Sequence, residues 1–378
     1  MGSASNLELE SEPYKLKLQL MEARNFRNLE SINFRPGPGL NVFQGNNAQG
    51  KTNILESIYL LATGSSFRTN QDKNLVNHDK DYFVLRGKYS YDNRNIESVL
   101  EYRSHQGKTL KINSHKTTFR HPDRLRVVLF TPDDLYLIKG APAKRRQFLD
   151  FILKQTRIEY EYNLDNYVKL LKKRNNLLKK EQSKTKSFKI IDELFIENAA
   201  HIILNRMKLI NILEENAILN YKKINKQGAN LKIRYALSFP IDSDKINLDI
   251  LKEAIKKQIK DKHEQEIQRK SSLVGPHRDD INIYLDDRLA RYYASQGQQR
   301  NIVIALKLAE IDSLRRISGI NPLFLLDEVL SELDPEKKYL LLDLLENANF
   351  QSFLTSVDMS ALPCLTAAAY VVKDGKLL

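Results

Sequence analysis

Apolar and polar residues alternate from Tyr14 to Phe26 ("YKLKLQLMEARNF"), which predicts a half-buried strand. "INFRPGPGLNVFQG" places a Pro-Gly turn before a second apolar run, so a meander feeds the next element. From Lys51 the period changes, and Ile54, Leu55, Ile58, Tyr59, Leu61 and Ala62 recur at helical spacing. "YFVLRGKYSY", "NIESVLEYRS", "KTLKINSHKTTF" and "LRVVLFTPDDL" then read as short strands bounded by turn residues. Between Lys144 and about Ile224 almost every stretch is helical in period, with Phe148, Ile152, Tyr167, Leu171 and Leu178 among the apolar stripes. "EQSKTKS" interrupts these helices, which makes them too short and broken for a long coiled coil. After "LSFPIDSDKINLD" a last helix runs through about Arg269, and "DINIYLDDRLARYY" returns to strand pairs. The remaining segments, "IVIALKLAEIDSLRR", "PLFLLDE", "KKYLLLDLLEN" and "SFLTSV", alternate helix and strand, as in a parallel sheet covered by helices. The expected architecture is α/β. A discontinuous lobe of residues 14–135 and 270–378 carries an inserted, mainly helical lobe of residues 136–269.

Composition adds a sign of charge to this picture. Sixty Lys and Arg against forty-seven Asp and Glu give a formal net charge of +13 in 378 residues, a field that attracts polyanions. A lysine-rich proteome would give the same excess, so charge alone leaves both readings open. The single Cys364 excludes an internal disulfide framework and a cysteine-based zinc site, and fits a reducing cytoplasmic setting. "MGSASNLELESEP" has no apolar signal core, and no run of 18 apolar residues occurs. These first thirteen residues read as a flexible extension or a leftover tag.

Candidate chemistry begins with "GNNAQGKT", Gly45, Asn46, Asn47, Ala48, Gln49, Gly50, Lys51 and Thr52. It matches G-x-x-x-x-G-K-[ST] at every fixed position, follows an apolar strand and opens an amphipathic helix. Glycines let the backbone wrap a phosphate, freed N–H groups and the helix dipole supply partial positive charge, and Lys51 reaches the β- and γ-oxygens. Thr52 would hold Mg²⁺ through its hydroxyl. Far downstream, "NPLFLLDEVLSELD" sets Asp327 and Glu328 at the carboxyl end of the continuous apolar run Leu323 to Leu326. Asp327 is placed to share the Mg²⁺ with Thr52, and Glu328 to orient or deprotonate an attacking water, an arrangement that fits many nucleotide hydrolases. Two acids opening a surface helix would be the bland reading, which four preceding apolar residues disfavour.

"ASQGQQR" lies before the acidic pair and opens a helix, yet holds no lysine. A Ser/Gly patch at a helix N-terminus can cap a phosphate presented by a second copy of the chain. It resembles the ABC-type signature "LSGGQ", with Ser295, Gly297 and Gln298 matching and Ala294 and Gln296 departing. Ser-Gln-Gly also suits an ordinary helix cap.

These motifs, with "PDDLYLIKGAPAKRRQFLD", "GPHRDD" followed by "SQGQQR", and "NFRNL" near the start, resemble the RecF family of bacterial repair ATPases, relatives of the SMC heads. The resemblance covers about Tyr14 to Leu378. It implies an ABC/SMC-head-like P-loop lobe with a helical second lobe, and ATP with Mg²⁺ as ligands. It also implies an ATP-dependent homodimer on double-stranded DNA near junctions with single-strand gaps, slow hydrolysis that releases it, and help in loading recombinase. Implied partners are RecR, with RecO and RecA downstream, and no membrane. Carried over by resemblance, Ser295, Gln296, Gly297 and Gln298 act in trans, and Ser331, Glu332, Leu333 and Asp334 form a loop crossing the dimer interface. Arg68 in "SSFRT" resembles the arginine that SMC-type heads point at the nucleotide. ABC proteins generally carry a switch histidine after the strand following the acidic pair; "FLTSVDMS" has none, and Thr355 or Asp358 are the substitutes at hand. No Q-loop glutamine can be placed, and His277 and Arg278 belong to the signature without an evident mechanism.

For DNA the candidate surface lies between Lys169 and Lys189, where nine Lys and Arg accompany a single acid, Glu181. Lys172, Lys173, Arg174, Lys179 and Lys180 would track the backbone without reading bases. A solvated lysine-rich helix has the same composition. Arg145 and Arg146 could contact DNA, an opposing head, or pair with Asp133 and Asp134. A transporter ATPase subunit and a scaffold using ATP only as dimer glue are the competing functions.

Overall fold

Most of the helix Lys51–Thr63 is buried: Ile54, Leu55, Ile58, Leu60, Leu61 and Ala62 are all inaccessible to solvent or nearly so, while Thr52, Tyr59 and Thr63 keep some exposure. In the computed structural model it lies against two six-stranded sheets. The structure describes residues 14–225, 228–241, 245–357 and 367–378. The extension expected at 1–13, Asp358 and Cys364 lie outside them. The chain divides into two compact units, one ending at Asp134 and resuming at Leu314, the other spanning Leu135–Ser313.

The first unit's parallel sheet runs in the order Lys376–Leu377, Ala368–Lys373, Leu40–Gln44, Ser352–Ser356, Leu323–Leu326 and Val127–Phe130; only the Lys376–Leu377 edge strand is antiparallel. Leu323 to Leu326 are buried to the last residue, which is why that strand reads as an unbroken apolar run. The second sheet is an antiparallel meander of Leu29–Phe34, Lys17–Phe26, Tyr82–Tyr91, Arg94–Arg103, Gly107–Ile112 and His115–Thr117. Its strands alternate buried and accessible positions. Asp92 and Asn93, and Asn113 and Ser114, are left-handed residue pairs at its two-residue hairpin turns, the backbone shape that matches strand twist.

In the second unit, the helices Pro142–Thr156, Ile158–Lys179 and Lys186–Ile224 pack on one another. The expected break falls at residues 180–185, where the Thr185 hydroxyl accepts from the Phe188 N–H and starts the next helix. That helix is 39 residues long, about 58 Å at 1.5 Å per residue, so the helices are longer than the broken pattern predicts. Its apolar stripe never lapses: Phe195, Ile202, Ile203, Leu209, Leu213 and Tyr221 are all buried. Leu231–Ala236, unpredicted, is a strand whose alternation ("LKIRYA") is short; it pairs with Asp280–Leu285, which pairs in turn with Arg288–Leu289. Periodicity ends the helical lobe at Arg269, whereas this unit runs on through that sheet and most of the helix Gln296–Ser318.

Buried ion pairs give "GPHRDD" a physical role. The Arg145 guanidinium donates to both carboxylate oxygens of Asp280 at 2.7 and 2.9 Å and to the carbonyl of Gly140, so Arg145 is a buried strut. Arg146 donates to the Asp279 carbonyl. Arg206, also buried, donates to Asp150 and to the Pro276 carbonyl, and the Tyr235 hydroxyl donates to Asp279. The Tyr167 hydroxyl meets His277 Nδ1 at 2.6 Å. Burial lowers the His277 pKa to about 4, so the ring is neutral there at ordinary pH. Removing one member of such a cluster leaves an unpaired buried charge, which makes its geometry specific. No helix among the described residues is long and apolar enough to cross a membrane.

Candidate nucleotide-binding site

Parallel strands end at a common edge, and that edge collects the site. Leu40–Gln44, Ser352–Ser356 and Leu323–Leu326 lie side by side in register, with Gln44 opposite Ser356 and Leu354 opposite Leu326. Gly45 follows the first, Thr355 is the last residue but one of the second and Asp327 follows the third. Residues far apart in sequence therefore meet at the carboxyl ends of the strands, where ligands bind in open α/β sheets.

The loop Gly45–Thr52 needs glycine at two points. A Cβ on Gly45 would stand 2.3 Å from the Val372 carbonyl oxygen, and Gly50 is left-handed, at φ 114°, with Asn28 packed against it. Lys51 is almost fully buried and donates to the carbonyls of Gly45 and Asn46 at 2.7 and 2.8 Å. An ammonium has three donors, so one remains for a phosphate oxygen. Burial lowers its pKa, opposed by the negative charges of Glu328 and Asp327. Gln49 is tied to the turn near the C-terminus: its Oε1 accepts from the Asp374 N–H and its carbonyl from the Gly375 N–H.

The Thr52 hydroxyl donates to Asp327 Oδ1 at 2.8 Å, and the Thr355 hydroxyl donates to the same oxygen at 3.0 Å. Thr355 Oγ1 in turn accepts from the Glu328 N–H at 2.9 Å. Glu328 is left-handed at φ 54°, a conformation that a non-glycine residue adopts at a cost of ~1–2 kcal/mol. That turn separates the two adjacent acids. Asp327 is buried, with its pKa raised by desolvation against the hydroxyls that favour its ionised form. Hard oxygen donors from one hydroxyl and one carboxylate fit Mg²⁺, which takes few protein ligands and keeps water or phosphate oxygens in its other positions. No cluster of three or more His, Cys, Asp or Glu side chains that could hold a metal occurs among the described residues.

Arg68 donates to Asn53 at 2.7 Å and reaches Glu56 at 3.5 Å, and is half exposed. Glu56 is completely buried and pairs in fork geometry with Arg27 while accepting from Ser66. This Arg27–Glu56–Ser66–Arg68 network on the phosphate-loop helix is absent from the sequence expectations beyond Arg68. Arg27 stands within "NFRNL", so a signal was present. Thr355 was expected only as a substitute for a switch histidine; nothing in an isolated "LTS" marks it as a threonine that links Asp327 to the Glu328 backbone.

Within the second unit, Ser295 opens the helix Gln296–Ser318 as a reciprocal cap. Its hydroxyl accepts from the Gln298 N–H, and the Gln298 side chain accepts from the Ser295 N–H. A Cβ on Gly297 would meet no described atom within 4 Å, so packing within the chain gives no reason for glycine there. Ser331 donates to the Glu328 carbonyl, and Asp334 caps the helix Pro335–Glu346 while pairing with Lys337 at 2.5 Å; Glu332 is half-buried and Leu333 is core. On the basic stretch Lys172, Lys173, Lys179 and Lys180 are exposed. Arg174 is not: it is 0% exposed, held by Glu266 and Asp192 at 2.6 Å each and by Ser272, which removes it from the candidate DNA surface. Its position on the helix faces the packed stripe, which composition alone does not reveal.

The family model described as RecF/RecN/SMC N terminal domain matches residues 17–373. "DNA replication and repair protein RecF" of Symbiobacterium thermophilum is 37% identical over 91% of this chain and 92% of its own length. The protein of the same name from Staphylococcus carnosus is 36% identical over 96% of this chain and all of its own. Among solved structures, the recombination mediator protein RecF with ATPrS superposes with a TM-score of 0.88 at 31% identity, covering 97% of this chain and 99% of that one. The same mediator with ATP gives 0.85 at 32%, over 98% and 99%. An Smc head domain from Pyrococcus furiosus shares the fold, with a TM-score of 0.56 at 14% identity over 96% of each chain. Matched by that family model over residues 17–373 and by relatives more than 30% identical over nearly all of its length, the chain belongs to the RecF family.

Proposed function

We propose that this protein is an ATP-gated clamp on double-stranded DNA at replication gaps, in which two copies close head to head around ATP and slow hydrolysis opens them. One observation carries the reading: Thr52, Asp327, Thr355 and Glu328 form a single hydrogen-bonded chain at the strand ends, beside Lys51 of the phosphate loop. That is the residue set of phosphoryl transfer to water.

The loop N–H groups and Lys51 bind the phosphates. Mg²⁺, when bound, neutralises charge on the β- and γ-oxygens, and Thr52 and Asp327 would hold it. Glu328, free of Asp327's hydrogen bonds, accepts the proton of the attacking water while Thr355 fixes its backbone. Ser295, Gln296, Gly297 and Gln298 cap the γ-phosphate of the other copy, which would explain a glycine with open space around it. Ser331 to Asp334 lie at the copy-to-copy boundary, with Asp334 shaping the loop as a cap. Arg68, in the loop after the phosphate-loop helix, faces the nucleotide. For function, residues 14–135 and 270–378 act as the ATPase lobe and 136–269 as the helical lobe. Lys172, Lys173, Lys179 and Lys180 track DNA phosphates. RecR, RecO and RecA follow as partners from the family, in the cytoplasm.

The test is mass in solution with and without ATP–Mg²⁺, using Glu328→Gln to suppress turnover, with and without Ser295→Arg. ATP should double the mass only when Ser295 is intact. Dimers that ignore Ser295, or a mass that ignores ATP, would defeat the clamp. An unchanged DNA dwell time in Glu328→Gln would favour ATP as glue.

A further inference from the structure

A cavity of about 390 Å³ opens beside Glu328, with room for about a dozen waters at ~30 Å³ each. Asn47 of the phosphate loop, Glu328 and Thr355 line one part of it; Lys338 and Leu342 of the helix Pro335–Glu346 line another. Lys338 and Leu342 are four residues apart and share a helix face. Leu342 is buried, so that face is turned inward and Lys338 is only half-buried. Its neighbour Lys337 is committed to Asp334 at 2.5 Å. Among the described residues the Lys338 ammonium forms no ion pair, and it is the one cation lining the cavity.

We infer that Lys338 is the receiving cation for the γ-phosphate, contacting its oxygens as the bond to ADP breaks and drawing the freed phosphate into this cavity. The inference rests on the ATPase reading above. In that reaction the water oxygen bonds to the γ-phosphorus, the bond to the β-phosphate oxygen breaks, and the water proton passes by way of Glu328 to the products, ADP and phosphate. The leaving phosphate is an anion moving past the carboxylate of Glu328, and at the carboxyl edge Lys51 has two of its three donors on the loop and is fixed there. A second cation beyond Glu328 offsets that repulsion, and no histidine stands at the end of Ser352–Ser356 to do so. Lysine acts here as a compact point charge with rotatable donors, suited to an anion that changes position.

The experiment compares wild type, Lys338→Gln and Lys338→Arg in steady-state turnover, ATP affinity and binding of inorganic phosphate to the ADP-bound protein. Lys338→Gln should lower kcat at least tenfold and weaken phosphate binding at least fivefold, with ATP affinity within twofold of wild type. Lys338→Arg should keep half the turnover or more. Wild-type kcat and phosphate binding in Lys338→Gln would overturn the inference, as would an arginine variant as impaired as the glutamine one. Loss of ATP affinity in step with kcat would also overturn it, because it would place Lys338 in ground-state binding. Turnover that persists in Glu328→Gln would instead break the underlying reading, and phosphate binding would still judge Lys338.

Discussion

Replacing Thr355 by valine removes one hydroxyl and keeps the side-chain shape. Thr355 is 1% exposed, so water cannot take the hydroxyl's place without rearrangement. The change leaves the Glu328 N–H without its acceptor and deprives Asp327 Oδ1 of one of two donors. A fully buried donor without a partner costs about 1–3 kcal/mol, which is an upper bound for this part-buried bond of the exposed Glu328. The left-handed turn at Glu328 is held by that same bond, so its release should let the carboxylate drift. Misplacement by about 1 Å can cost on the order of 100-fold in rate. Thr355→Val should therefore lose up to about 1–3 kcal/mol of unfolding free energy in urea, and kcat should fall about 10- to 100-fold. ATP affinity should hold, since Gly45–Thr52 is untouched, and Thr355→Ser should recover most of both losses. Wild-type kcat in the valine variant would refute the role given to this hydroxyl, whatever the stability.

Three further outcomes follow from the second unit. His277 has its folded pKa lowered by burial to about 4, below the ordinary 6.5, so the unfolded chain binds the extra proton first. Its contribution is present above pH 6.5 and is lost as pH falls toward 4, about 3 kcal/mol at most between those two values; urea unfolding of His277→Gln should show a shallower acid loss than wild type, and parallel curves would refute this. Changing Lys172, Lys173, Lys179 and Lys180 to glutamine should flatten the plot of log DNA affinity against log salt by about 0.9 for each DNA phosphate left unneutralised. Arg174→Ala should leave that slope alone while costing about 3–5 kcal/mol in stability; a slope that moved with Arg174 would contradict its burial.

The phosphate loop, the acidic strand end and the signature cap were legible in the sequence because each is a local device. A glycine turn before a helix, an apolar run ending in acids and a serine at a helix start all declare themselves within a few residues. The α/β class was legible for the same reason, since the period of apolar positions records which faces are covered. Thr355 was legible only as a stand-in for a switch histidine and Lys338 not at all, because only the side-by-side register of parallel strands and the inward face of Pro335–Glu346 bring them to Glu328. Arg174 shows the reverse limit. A lysine-rich stretch specifies charge, while the rotation of its helix against Glu266 and Asp192 decides which charges meet solvent. The chemistry of each residue was written in the chain, and tertiary packing chose their partners, because long-range contacts depend on how elements dock and not on spacing along the backbone.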